Sequence, residues 1–191
     1  MKSHRLMLLA ASALAAACTV SAEASAQTFP EVTQQMRNSS HRGHPAFGGL
    51  NEYRILARNW SVNTFYIVWT GAAPERRPHW VIRRAIGDGD GQTGLVWADS
   101  RDCPAVAEVL TDMEGLPGAR WDVPGLGDSS DQIGLVLDGV AYTVWNRFAR
   151  TGPDDASVDA ELTGNVNSPA ARWWTNGAAK LAGCWKPEEP R

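Results

Sequence analysis

The chain has three cysteines, four histidines and no block of lysine or arginine. Without a basic block, and with a net charge of -3, it offers no electrostatic footprint for nucleic acid or for an anionic membrane surface, and both are set aside as partners. It also lacks a Gly-x-Ser-x-Gly elbow, a phosphate loop, a paired redox-cysteine motif and a dinucleotide fingerprint. No catalytic residue is assigned, and the enzyme reading is left open with a lean against it. Metal-binding patterns are equally thin. His41-Arg-Gly-His44 looks like a ligand pair, but Gly43 and Pro45 deny it the helix that would align both rings, and His79 is the one candidate third histidine. These are read as solvated loop histidines, with His79 half-buried at a strand start. The Asp88-Gly-Asp90-Gly91 segment has Gln92 and Thr93 where a calcium loop needs a ligand and a glycine, so it is read as a solvated turn. Asp99 and Asp102 complement the dipole of a nearby helix start. No metal and no cofactor are expected.

Long apolar runs are absent too, except at the N-terminus. There Lys2 and Arg5 precede an uncharged stretch over residues 6–20, followed by Ala24-Ser25-Ala26. This order of charge, apolar run and small residues matches a secretory signal over residues 1–26, its apolar run short of the roughly twenty residues that span a bilayer. Cleavage before Gln27 removes two cations and one anion, so the mature chain of about 165 residues carries about -4 and suits one domain. A competing pattern, Leu14-Ala-Ala-Ala-Cys18, resembles a lipobox and makes Cys18 a possible lipidation site on a membrane-anchored lipoprotein, although Ala15 departs from it. The expected location is periplasmic or secreted, with no transmembrane segment in the mature chain.

Cys103 and Cys184 remain, and an even count in an oxidising compartment reads as one disulfide, two free buried thiols being the alternative. Closing a loop of about eighty residues is worth roughly 4 kcal/mol in the chain-entropy model.

Residues 27–50 are polar and Gly/Pro-punctuated, which predicts a flexible arm with a short helix over 31–37. Residues 53–60, 64–70, 79–86 and 95–98 are short and rich in β-branched and aromatic side chains, so they read as strands. The glycine-rich residues 87–94 read as a long hairpin tip. After Pro104 the apolar residues fall at Val106, Val109, Leu110 and Met113, the spacing of one helical face, ended by Gly115. Asp138-Gly139 predicts a two-residue turn pairing Leu137 with Val140 and Leu135 with Tyr142. A weaker strand follows at 157–162. Ser168-Pro169 then opens a helix whose stripe is Ala171, Trp174, Ala178, Leu181 and Ala182. Residues 186–191 read as a disordered tail.

The expected fold class is therefore α+β, with an antiparallel sheet of about six to seven strands, two helices packed on one face and one disulfide. Residues 51–185 form its single domain. Because Cys103 starts one helix and Cys184 follows the other, the helices are expected side by side and antiparallel, with Cα atoms within about 7 Å at the bridge.

The nine tryptophans are read first as core filling and second as a glycan-stacking surface. One place is singled out for binding, the last helix, where Trp173 stands about 100° round from the core-facing Trp174 with Arg172, Asn176 and Lys180 near it. A flat indole edged by polar donors there suits a sugar ring or a partner's side chain.

The Cys-Pro-led helix, the Leu-Asp-Gly turn with a following tyrosine and the closing Cys-Trp resemble a family of secreted proteins of Gram-negative bacteria, over roughly residues 103–185. The resemblance implies a periplasmic location and the disulfide, and brings no activity. The functional expectation is a non-enzymatic domain that binds an envelope protein or glycan, or inhibits another protein, through the sheet face away from the helices. A small hydrolase acting on cell-wall or carbohydrate substrate and a structural envelope protein are the alternatives. The oligomeric state is left open.

Overall fold

The computed structural model describes residues 26–71, 74–117, 139–151 and 156–191. The proposed leader with Cys18, Trp121 and the expected strand over 133–137 fall outside them. The helices are α1 Phe29–Arg37, α2 Ala105–Glu114 and α3 Pro169–Lys180. The strands are β1 Ser40–His41, β2 His44–Pro45, β3 Gly48–Arg54, β4 Trp60–Thr70, β5 Arg77–Asp88, β6 Gly91–Asp99, β7 Val140–Thr151 and β8 Ala156–Gly164. β3 to β8 build one six-stranded antiparallel sheet in the order β6-β5-β4-β3-β7-β8, and β1 and β2 form a separate small ladder.

The α+β class and the disulfide are as expected, with Cys103 bonded to Cys184 and their Cα atoms 5.8 Å apart. α2 and α3 lie side by side on one face. Ser168 caps α3 by accepting the Ala171 N–H at 3.1 Å, and Ala171, Trp174 and Leu181 from its apolar stripe join Val106, Val109 and Leu110 in the core. Beneath them lie Leu50, Phe65, Ile82, Ala98, Tyr142 and Val144, drawn from alternate positions of five strands.

A third helix covers the opposite face, so the expectation of a flexible arm and one bare face is corrected. Strands β4, β5 and β6 are apolar on both sides, Val62, Tyr66, Val68, Val81, Ala85 and Trp97 facing away from α2 and α3. Such a sheet needs cover on both faces. α1 supplies it through Val32 and Met36, one turn apart, packed on Trp60, Val62 and Ala85. Its start is held by the Glu31 carboxylate accepting the Thr28 N–H at 2.8 Å. Residues 38–46 continue over the same face through the β1–β2 hairpin, whose Arg42 and Gly43 take positive φ. β3 is a central strand, not part of an arm. The tail is also engaged, since Trp97 and Lys186 exchange both backbone hydrogen bonds at 2.8 Å, laying the chain end along the outer edge of β6.

Two element boundaries differ from expectation. Residues 55–59 turn between β3 and β4 rather than continuing a strand. The long glycine tip is a tight turn at residues 89–90, because most of its glycines lie inside β5 and β6. Tyr142 is paired on both sides, with Glu52 and with Gly164, so β7 lies between β3 and β8, while its expected partners Leu135 and Leu137 lie outside the described residues.

Candidate functional site

The surface expected on α3 is not formed. Trp173 is 8% exposed, its Nε1–H donates to the Val109 carbonyl at 2.9 Å, and its ring meets Phe65 edge-on. The ring does point round the helix from Trp174, but α2 occupies that direction. A Cβ on Gly177 would stand 2.9 Å from Val109 Cγ1, so the helices approach closely where an open indole is expected. Lys180 donates to Asp112 at 2.9 Å and Arg172 to the Asn167 carbonyl, while Asn176 is exposed. The four residues do not converge on one floor.

Tryptophan as core filler describes most of the others. Trp60, Trp97, Trp145 and Trp174 are buried, and Trp69 is the most exposed of those described, beside Arg76.

His41 does not lie in a solvated loop, and His79, on β5 near its start, is more deeply buried than expected. His41 is 1% exposed, its ring set between Tyr66 and Trp97, and its Nδ1 is 2.8 Å from Glu189 of the tail. His79 is also buried, 3.7 Å from the Asp99 carboxylate, which Arg101 grips at 2.7 Å. Asp99 therefore serves this buried group, and Asp102 pairs with Lys186 at 2.7 Å. Burial pushes both imidazoles below their ordinary value, against the opposing pull of Glu189 on His41 and of Asp99 on His79. His41 Nε2 and His79 Nδ1 are buried without a hydrogen-bond partner. His41 and Arg101 reach the tail through Glu189 and the Arg191 carbonyl, which suits the group to holding the chain end down. Among the described residues no three His, Cys, Asp or Glu side chains are placed to hold a metal ion.

Among the described residues, two surface pockets are candidates for a site. One, of about 320 Å³, lies beside Trp145, whose ring is flanked by Arg37 at 5.2 Å and Arg147 at 5.7 Å. Its cations carry partners, Arg37 with Glu161 and Arg147 with the Arg37 carbonyl, although Arg37 Nε and Trp145 Nε1 are buried without one.

The other, of about 340 Å³, lies at the end of the sheet where β4 begins, on the same face as α2 and α3. Strand register builds it. Glu52 stands opposite Ser61, and Asn63 opposite Arg84, so alternate positions of β3, β4 and β5 bring a polar strip onto a face that is apolar one row higher. Asn63 and Ser61 are fully or nearly buried, and Asn63 Nδ2 donates to the Leu50 carbonyl at 3.1 Å and to Ser61 Oγ at 3.3 Å. Two atoms of the strip have no hydrogen-bond partner, Asn63 Oδ1 and Arg84 Nε. The Arg84 guanidinium stacks on Trp185 at 5.4 Å. Burial pushes its pKa down, and the opposing pull comes from Glu52. Glu52 and Arg54, 3.7 Å apart, line the pocket with Asn59, Ser61, Arg84 and Asp88.

No family model, curated protein or solved structure matches this chain. Function is therefore read from the residues themselves.

The sequence pattern singles out none of the strip residues. A faint signal exists, because Ser61-Val-Asn63 puts polar side chains at successive same-face positions of an otherwise apolar strand. Their meeting with Glu52 and Arg84 is set by register alone.

Proposed function

We propose that the chain is an exported binding module that holds a small polar component of the cell envelope in the pocket bounded by Glu52, Ser61 and Arg84, without itself carrying out catalysis. The observation that carries this reading is the buried polar strip. Buried polar groups are nearly always paired, and a guanidinium sunk against a sheet is costly unless something polar meets it. Here Arg84, whose Nε lacks a partner, and Ser61 line an open pocket of a size that suits a small ligand, while Asn63, whose Oδ1 also lacks a partner, belongs to the same strip but lies outside the lining. The face away from α2 and α3, expected from sequence to bind, is taken up by α1, residues 38–46 and the tail, which moves the reading to this end of the sheet.

Export is supported by the leader-like residues 1–26, by the disulfide and by the resemblance to secreted Gram-negative proteins. No helix among the described residues is long and apolar enough to cross a membrane.

The competing account of the strip is a buried water that satisfies both atoms. Native mass spectrometry of the mature protein, desalted after incubation with the small-molecule fraction of an envelope extract, separates the two. A discrete small adduct is expected on the wild-type chain and not on Ser61→Val, with the fold retained. Retention of nothing, or of the same adduct by both proteins, would rule out binding at this pocket.

A further inference from the structure

The charges around the pocket narrow the ligand's chemistry. Building on the binding function proposed above, we infer that the pocket takes a dipeptide-sized zwitterion, its carboxylate toward Arg84 and its ammonium group toward Glu52.

Two charged side chains set the spacing. Arg84 lies on β5 and Glu52 on β3, with β4 between them. Adjacent strands are about 4.8 Å apart, so the two backbones are separated by roughly 10 Å across the sheet. Both side chains lie on one face and line one cavity. A ligand that engages both must carry opposite charges several ångströms apart. A free α-amino acid carries both charges on one carbon and satisfies one end well, whereas a dipeptide sets a peptide unit between them. That unit would lie over Ser61, whose hydroxyl both donates and accepts.

The cationic end is the better defined. The guanidinium rests on the Trp185 ring, and its Nε has no partner. Guanidinium is a fork of donors matched to a carboxylate, and such paired, charge-assisted bonds are the strong ones. At the anionic end the Glu52 side chain is 15% exposed, and its described ion-pair partner is the more exposed Arg54 at 3.7 Å, which leaves acceptor capacity for an ammonium group. A neutral sugar would offer hydroxyls to both groups but no opposite charge to either. A phosphate would meet Arg84 and be repelled by Glu52 and Asp88.

The test uses the full mature chain, titrated by calorimetry and by NMR with alanylalanine, N-acetyl-alanylalanine, alanylalanine amide, N-acetylglucosamine and inorganic phosphate. Alanylalanine is expected to bind and to shift resonances of Ser61, Arg84 and Glu52. Capping either charge is expected to weaken it at least tenfold, and Arg84→Gln to reproduce the loss caused by amidation. The capped ligands carry the test even if Arg84→Gln fails to fold. Equal binding of capped and free dipeptides would overturn the assignment of charges. Binding of N-acetylglucosamine or phosphate at these residues, with no binding of alanylalanine, would overturn the ligand class and leave the binding module standing. If no probe shifts these residues and the envelope extract yields no adduct, both readings fall.

Discussion

Trp60 and Gly87 show how tightly single residues are set in this fold. A Cβ built on Gly87 would lie 2.1 Å from Trp60 Cζ2 and 2.4 Å from the Gly91 carbonyl oxygen, and the ring cannot swing aside because its Nε1–H donates to the Asp88 carbonyl at 2.8 Å. Gly183 has nothing within 4 Å of the equivalent position. Gly87→Ala is therefore expected to cost about 1–3 kcal/mol by overpacking, and Gly183→Ala no more than about 0.5 kcal/mol, read as urea midpoints on the oxidised protein. A wild-type midpoint for Gly87→Ala would contradict the packing of Trp60. At this scale the sequence is half readable. That tryptophans fill the core follows from their size, but the direction in which Trp173 points depends on where α2 sits. The same holds for Arg84, an ordinary strand residue until register sets it opposite Asn63.

Among the elements, the tail contributes most that composition concealed. Its Lys186 bridges the β6 edge through both backbone groups, and its Glu189 reaches a histidine buried on β1. Covering an edge strand in this way blocks its pairing with another chain. The histidines beneath make the arrangement sensitive to acid. The field at His41 comes from Glu189 and Asp99 on one side and Arg42 on the other, and at His79 from Asp99 against Arg101, His41 and Arg42, with burial outweighing all of them. Both folded-state pKa values lie below the ordinary 6.5. Well above 6.5 neither state binds the proton and the histidines contribute no pH dependence. As pH falls through 6.5 the unfolded chain takes up protons that the folded one refuses, so stability falls until the lowered folded values are reached. Unfolding free energy is expected to be smaller at pH 5.5 than at pH 7.5, by at most about 1.4 kcal/mol per histidine per pH unit, and the slope is expected to flatten in His41→Gln/His79→Gln. A wild-type curve with no slope in this window would mean that the imidazoles are not held neutral by burial. Of α1 the sequence yields only a short helix over 31–37, and its attachment to the sheet is not legible, because a short amphipathic helix does not name the surface it covers.

For the molecule as a whole, processing and packing meet at Gln27. This is the residue that cleavage after Ala26 would place first, and its carbonyl accepts the Gln92 N–H of β6 at 3.0 Å. N-terminal sequencing of the chain recovered from an exporting Gram-negative host is expected to begin at Gln27, or alternatively at Ser25, in the non-membrane fraction. A lipid-modified Cys18 in the membrane fraction would place the protein on a membrane surface instead.

The sequence by itself determined the α+β class, the pairing of Cys103 with Cys184, the positions of α2 and α3 and the existence of most strands. Those features follow from local periodicity, capping chemistry and the parity of the remaining cysteines, each of which acts within a few residues or by elimination. Only the tertiary structure decided that β7 lies between β3 and β8, that both faces of the sheet are covered, and that Glu52, Ser61, Asn63 and Arg84 share one end of it. Strand order and register are chosen by which apolar faces can be buried together across the whole chain, and a shift of one residue would turn every one of those side chains to the other face.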